Sequence, residues 1–145
     1  MLMQRHLTRP SLADVMVREG ILPRRTVDQV VARLGGSTTA FGQTLVEEGT
    51  ISEAQLAQAL AAQYGLPYDP LTGFRVDSEF YHTISVKLMR RHPFVPVKDE
   101  AGALTIAISD PQNLLALDEL EILLNRPLYY VVSSRSAIQS ALERS

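Results

Sequence analysis

The sequence predicts an α+β fold: an N-terminal four-helix module of two repeated helical hairpins, followed by a small α-β-β-α-β-α domain with a three-stranded mixed sheet. Three observations carry this reading. The first is an internal repeat at an offset of 29 residues, in which Val17, Glu19, Gly20, Gln29, Ala32 and Gly36 recur as Val46, Glu48, Gly49, Gln58, Ala61 and Gly65. Apolar character also persists at Leu12/Phe41, Met16/Leu45, Leu22/Ile51, Val27/Leu56 and Val31/Leu60. A single hairpin cannot bury its apolar side alone, so the two copies are expected to pack together. The second observation is a shift after residue 77 from helical spacing to short runs rich in β-branched residues. The third is composition: 46% of the 145 residues are hydrophobic, enough for a core, and the absence of cysteine excludes disulfides and thiolate chemistry.

Taken in order, residues 1–10 have no period and form a loose arm. The helical repeat module spans 11–67. Ser11 is an N-cap, Leu12, Val15, Met16 and Glu19 map a short amphipathic helix, and Gly20 ends it. Ile21-Leu22-Pro23 enters a second helix that buries Val27, Val30, Val31 and Leu34. The GGSTT segment at 35–39 is a flexible turn. In the second copy Phe41, Leu45 and Val46 share a helix face and Gly49 provides the left-handed stop. Ser52 with Gln55 makes a capping box. The helix after it carries Leu56, Leu60 and Gln63 on one face and stops at Gly65-Leu66-Pro67.

Residues 68–77, with Pro70 and Gly73 and no period, read as a linker. The α/β unit spans 78–145. It opens with a helix over 84–91 that turns Leu88 and Met89 inward and Lys87, Arg90 and Arg91 outward, ending at His92-Pro93. Strands at 94–97 and 103–108 flank a KDEAG turn as a hairpin. Asp110 as cap and Pro111 at the first helical position start a helix over 112–124 that buries Leu114, Leu117, Leu120 and Leu124. A third strand at 129–132 lies parallel to its predecessor. Ser133 or Ser134 caps a last helix anchored by Ile138 and Leu142.

Several functions are argued against by the residues. A formal net charge of −2 gives no general attraction to nucleic acid or to anionic membrane. No apolar run approaches the ~18–20 residues of a membrane span, and the N-terminus lacks the form of a signal peptide, so a cytoplasmic protein is expected. None of the eight glycines precedes a lysine, which excludes a Walker A phosphate loop. His6, His82 and His92 lack metal-ligand spacing. Ser133-Ser134 has no nucleophile-elbow glycines and reads as a cap. Asp118, Glu119 and Glu121 read as a solvated helix face. Asp110 and Pro111 make the helix start behind them a poor anion site, one adding negative charge and the other removing a donor. Gln63, with the glycines and apolar face around it, reads from composition as a helix-end amide.

A family resemblance enters on four segments: LxxxMVxEGIL from Leu12, FGxxLVEEGTI from Phe41 with QLxxAL and Gln63, then YGLPYDPL, and finally LMRRHPFVPV with LTIAISDPQNLLALDELEILL and SSRSAIQSALE. Together, over 11–144, these resemble the N-terminal domain of type II secretion E-type and type IV pilus assembly ATPases, AISDPxNxxALDEL being the most specific part. The resemblance implies a non-catalytic regulatory or docking domain placed before a hexameric motor. The resemblance further implies that the domain attaches that ATPase to the cytoplasmic domain of an inner-membrane platform protein, and no nucleic acid partner and no membrane insertion are expected. In a subset of the family each repeat binds cyclic di-GMP through a motif that opens Arg-Leu-Gly and ends in Gln.

Carried onto this sequence, the motif positions are Leu12, Met16, Gly20, Gly42, Leu45, Gly49, Leu56, Leu60 and Gln63. The first copy opens Ser11-Leu12-Ala13 and ends at Leu34, and the second opens Ala40-Phe41-Gly42, so both arginines are missing. A charge-assisted hydrogen bond contributes about 1.5–3 kcal/mol, and losing two of them weakens binding by an order of magnitude or more each. The expectation is therefore no cofactor and weak or absent cyclic di-GMP binding, unless Arg18, Arg24, Arg25 or Arg33 substitutes from another direction. The alternatives are a cyclic di-GMP receptor with a degenerate site and a stand-alone interaction domain.

Overall fold

The computed structural model describes residues 10–34 and 38–145. The arm at 1–9, with His6, and the turn residues 35–37, with Gly36, lie outside the described residues. The chain runs α1 (Leu12–Arg18), α2 (Arg24–Leu34), α3 (Thr38–Glu47), α4 (Glu53–Tyr64), α5 (Val86–Arg91), β1 (Phe94–Glu100), β2 (Ala103–Ile108), α6 (Leu114–Leu124), β3 (Leu128–Val132) and α7 (Arg135–Arg144). A module of four helices, α1–α4, is therefore followed by α5 and a three-stranded mixed sheet with α6 and α7, the predicted α+β architecture.

The repeat is reproduced down to individual hydrogen bonds. At the end of α1 the Ile21 N–H donates to the Met16 carbonyl (2.8 Å) and the Gly20 N–H to Val17 (3.1 Å). At the end of α3 Thr50 donates to Leu45 (2.9 Å) and Gly49 to Val46 (3.0 Å). This paired 6→1 and 5→2 closure needs a left-handed residue, and Gly20 and Gly49 supply it at φ 75° and 76°. Ser11 accepts from the Asp14 N–H, and Ser52 and Gln55 form the complete capping box. Between these caps α1 packs on both α2 and α4. Leu12, Val15, Met16, Val27, Val30, Phe41, Leu45, Leu56 and Leu60 share one core, while Val31 and Leu34 are only half-buried at its edge. Outside that core Arg33 grips Glu48 with two hydrogen bonds of 2.9 and 2.7 Å, joining α2 to the end of α3. That bond holds the Glu48 carboxyl below its usual range.

The second core gathers Met89, Phe94, Val95, Leu104, Ile106, Leu120, Ile138 and Leu142 around the sheet. Fully burying side chains of this size contributes about 1.5–3 kcal/mol each. The strand order is β1-β2-β3, with β1 antiparallel and β3 parallel to β2. β1 runs three residues beyond the predicted Val97, through a bulge between Pro96 and Lys98. The turn shrinks from KDEAG to Ala101-Gly102, both with positive φ (52° and 83°), as a two-residue hairpin with matching twist requires.

Other boundaries also move. The helix predicted from 84 starts at Val86, because Ser85 caps it by accepting from Lys87 and Leu88, while Ile84 stays buried ahead of it. A short 3-10 turn, Ser78–His82, capped by Asp77, has no counterpart in the sequence-based expectation. Asp110 is not the cap of α6. Its carbonyl closes a turn onto the Asn113 N–H (3.2 Å), and Asn113 caps the helix by accepting from Ala116. On α6 Leu120 is fully buried and Leu117 and Leu124 half-buried, while Leu114, in the first turn, is exposed. β3 begins at Leu128, one residue before the predicted 129.

The segment 68–77 is pinned at both ends. Tyr68 forms a parallel bridge to Val132, whose N–H donates to the Pro67 carbonyl (2.8 Å) and whose carbonyl accepts from Asp69 (2.9 Å). Leu71 and Val76 enter the second core. Arg75 donates to the Arg144 carbonyl (2.8 and 3.0 Å), and Arg144 in return donates to the carbonyls of Phe74 (3.1 Å) and Leu71 (3.3 Å). Absence of a period in 68–77 thus reflects irregular backbone that is nevertheless bonded to its neighbours.

The two hairpin glycines give a direct test. Gly20→Ala and Gly49→Ala should each lower stability by about 1–2 kcal/mol through left-handed strain, as read by urea denaturation. Open space around both positions leaves no steric clash to add to that cost.

Candidate functional site

A cleft of about 390 Å³ opens between the helical module and the α/β unit, within the roughly 300–1,000 Å³ range of small-molecule sites. One wall is mainly apolar: Leu12 from α1, Gly42 and Val46 from α3 with Gln43 between them, and Leu56, Ala57 and Leu60 from α4. Gly42 sits where these helices meet. A Cβ there would come within 2.5 Å of Leu56 Cδ1 and 3.3 Å of Leu12 Cδ2, so glycine lets both leucines close over α3.

The opposite wall is polar. It consists of Ser109, Asp110 and Gln112 after β2 and Ser133, Ser134 and Arg135 at the start of α7. Ser134 caps α7 by accepting from Ala137 (3.1 Å). Ser133 is fully buried and its Oγ has no partner among the described residues. Glu53, in the first turn of α4, spans the two walls: its carboxylate accepts the Ser136 N–H at 3.3 Å. The N-terminus of α7, which favours negative charge, thus already faces an internal carboxylate. Glu53 and Asp110 outnumber Arg135 as charges on the lining.

The predicted site residues divide sharply. Leu12, Gly42, Leu56 and Leu60 come together on the cleft wall. Met16 and Leu45 have no exposed surface and belong to the helical core. Gly20 and Gly49 are the left-handed stops of α1 and α3, away from the lining. Gln63 donates from Nε2 to the Pro10 carbonyl (3.0 Å), while its Oε1 is buried without a partner among the described residues. It ties the entry of the chain to the end of α4.

None of the arginines considered as substitutes lines the cleft. Arg24 lies 3.1 Å from Asp14 and 3.7 Å from Asp28, and its hydrogen bond holds the Asp14 carboxyl below its usual range. Arg33 is engaged by Glu48 and Arg18 lies 4.0 Å from Glu19. The α/β wall was missed in the sequence, although the serine pair after a strand marked its place. Chemically the cleft combines a leucine surface with hydroxyl, amide and carboxylate groups. Among the described residues no histidine lines it.

The orphaned hydroxyl is testable. Removing a buried, unpaired polar group recovers its desolvation cost, so Ser133→Ala should raise stability by about 1 kcal/mol in urea denaturation. A loss of similar size would show that the hydroxyl is engaged.

The MshEN domain family matches residues 64–145. The chain is 30% identical over 133 residues to the type IV pilus assembly ATPase PilB of Myxococcus xanthus, covering 92% of this chain and 24% of that protein. It thus spans about a quarter of the length of that relative. Its fold is similar to MshE with cdg, at a TM-score of 0.76 and 28% identity over 94% of this chain and 99% of that one. It is also similar to the N-terminal domain of XpsE, at 0.63 and 25% identity over 95% and 98%. The chain belongs to the MshEN domain family, with the fold of the MshE and XpsE N-terminal domains and homology to the PilB pilus ATPases.

Proposed function

We propose that this chain is a non-catalytic docking domain of a pilus-assembly or secretion ATPase, recruiting the motor to the cytoplasmic domain of an inner-membrane platform protein. The observation that carries this reading is where the ligand-motif positions sit. Met16 and Leu45 are wholly buried, Gly20 and Gly49 stop helices, and Gln63 is bonded to the Pro10 carbonyl. With both motif arginines replaced, these residues serve the fold, and the domain retains its outer surfaces for a protein partner. Among the described residues no helix is long and apolar enough to cross a membrane, which agrees with a membrane contact made through that partner.

Calorimetry of the chain with the platform protein's cytoplasmic domain should give saturable binding with a micromolar dissociation constant, the scale of about −8 kcal/mol. No heat at high micromolar concentrations would count against the docking role.

A second reading, a cyclic di-GMP receptor, is favoured by one observation: Leu12, Gly42, Leu56 and Leu60 line one cleft in a fold shared with MshE, which was solved with that nucleotide. The charge balance opposes tight binding, because Glu53 and Asp110 face a doubly anionic ligand across a lining whose cation is Arg135. Titration should show no saturation below about millimolar ligand, a free energy no stronger than ~4 kcal/mol. Saturable micromolar binding that Leu60→Ala weakens would replace docking by nucleotide sensing as the use of the cleft.

A further inference from the structure

The outer face of α6 carries large apolar side chains among its carboxylates. Leu115 is 84% exposed and Ile122 77%, with Leu123 at 51%. Seven residues separate Leu115 from Ile122, two helical turns, so the two side chains stand in line about 10 Å apart. Asp118 and Glu119 lie between them on the same face, at the three- and four-residue spacings that make helix neighbours. Glu119 is held by His92 Nε2 (2.8 Å) and Arg91 (3.4 Å). Asp118 is exposed and has no partner among the described residues.

This arrangement restricts what can cover the face. A second copy fails electrostatically: a two-fold pairing of α6 with itself sets Leu115 against Ile122 and brings Asp118 and Glu119 of both copies together. An anionic lipid surface is repelled by the same carboxylates. A helix fits if it presents two apolar side chains about two turns apart with lysine or arginine between them, because its cation meets Asp118 while its anchors cover Leu115 and Ile122.

We propose that α6 is the docking face for a basic amphipathic helix of a different protein chain. The proposal rests on the docking role above and gives it a surface and a partner chemistry. Leu115 and Ile122 are the anchors, and Asp118 fixes the register through a charge-assisted contact.

Two titrations of the isotope-labelled chain test it by amide chemical shifts. The first uses an alanine-based helical peptide with leucines seven residues apart and two lysines between them. Saturable shifts centred on 114–124 are expected, with affinity about tenfold weaker for Asp118→Lys, a substitution that reverses the charge of the contact. Failure to saturate, shifts centred on the four-helix module, or equal affinity for Asp118→Lys overturns the proposal.

The second uses the platform protein's cytoplasmic domain. Ile122→Glu is expected to weaken it about tenfold by placing a charge against an apolar anchor, whereas Gln58→Ala, on the exposed side of α4, leaves it unchanged. If that domain binds with undiminished affinity for both Ile122→Glu and Asp118→Lys, the α6 face is wrong and the docking role stands. If the peptide binds at α6 and the platform domain does not bind, the face stands and the platform is not its partner.

Discussion

Val132 joins the two halves of this domain. Its N–H and carbonyl are both taken by the segment leaving α4, at Pro67 and Asp69. Its side chain is fully buried in the helical core although its strand belongs to the sheet. One residue thus fixes a backbone and a packing relation at once, and the next four residues inherit that placement. Ser133 is buried under the cleft, Ser134 caps α7, and Ser136 reaches Glu53 on α4. The cleft exists because strand β3 delivers the start of α7 against the second hairpin, and its polar wall would be elsewhere if that bridge were broken.

That geometry explains how a ligand-like motif can serve structure. In a repeated hairpin the residues between helices must stop one helix, start the next and fill the space between copies. Glycine in the left-handed region, a large apolar residue in the last turn and a polar cap meet those needs without any ligand. Met16 with Gly20 and Leu45 with Gly49 do this identically in both copies. What a nucleotide would require in addition is positive charge, and here the first repeat's Arg24 and Arg33 are committed to Asp14 and Glu48. In the cleft Glu53 stands against the start of α7, whereas the outward surface of α6 carries apolar side chains that the core does not use.

Much of the fold was legible because its signals are local. The caps and spacings within each 29-residue copy, the Ser52–Gln55 box and the alternation of strands and helices each report on neighbours a few residues away. Errors fell where two local signals competed or where the partner was distant. Asp110-Pro111 has the form of a helix start, but a turn onto Asn113 intervenes and Asn113 takes the cap. The spacing of leucines at 114, 117, 120 and 124 then failed at Leu114, since the burial of a helix face depends on what it packs against. The 68–77 segment has no period to read, because its bonds go to Val132 and Arg144, more than sixty residues away. The apolar half of the cleft was visible as a doubled pattern. Its polar half, from Ser109, Ser133 and Arg135, was hidden because only the sheet topology brings those residues across from α4.

The docking role and the nucleotide-sensing role differ in which surface a natural partner protects. Hydrogen–deuterium exchange of the chain, alone and with each partner, separates them most directly, since protected amides report local opening along the whole backbone. The docking role predicts slowed exchange with the platform protein's cytoplasmic domain and none with cyclic di-GMP. Slowed exchange across α1 and α4 with the nucleotide, and none with the platform domain, would contradict it.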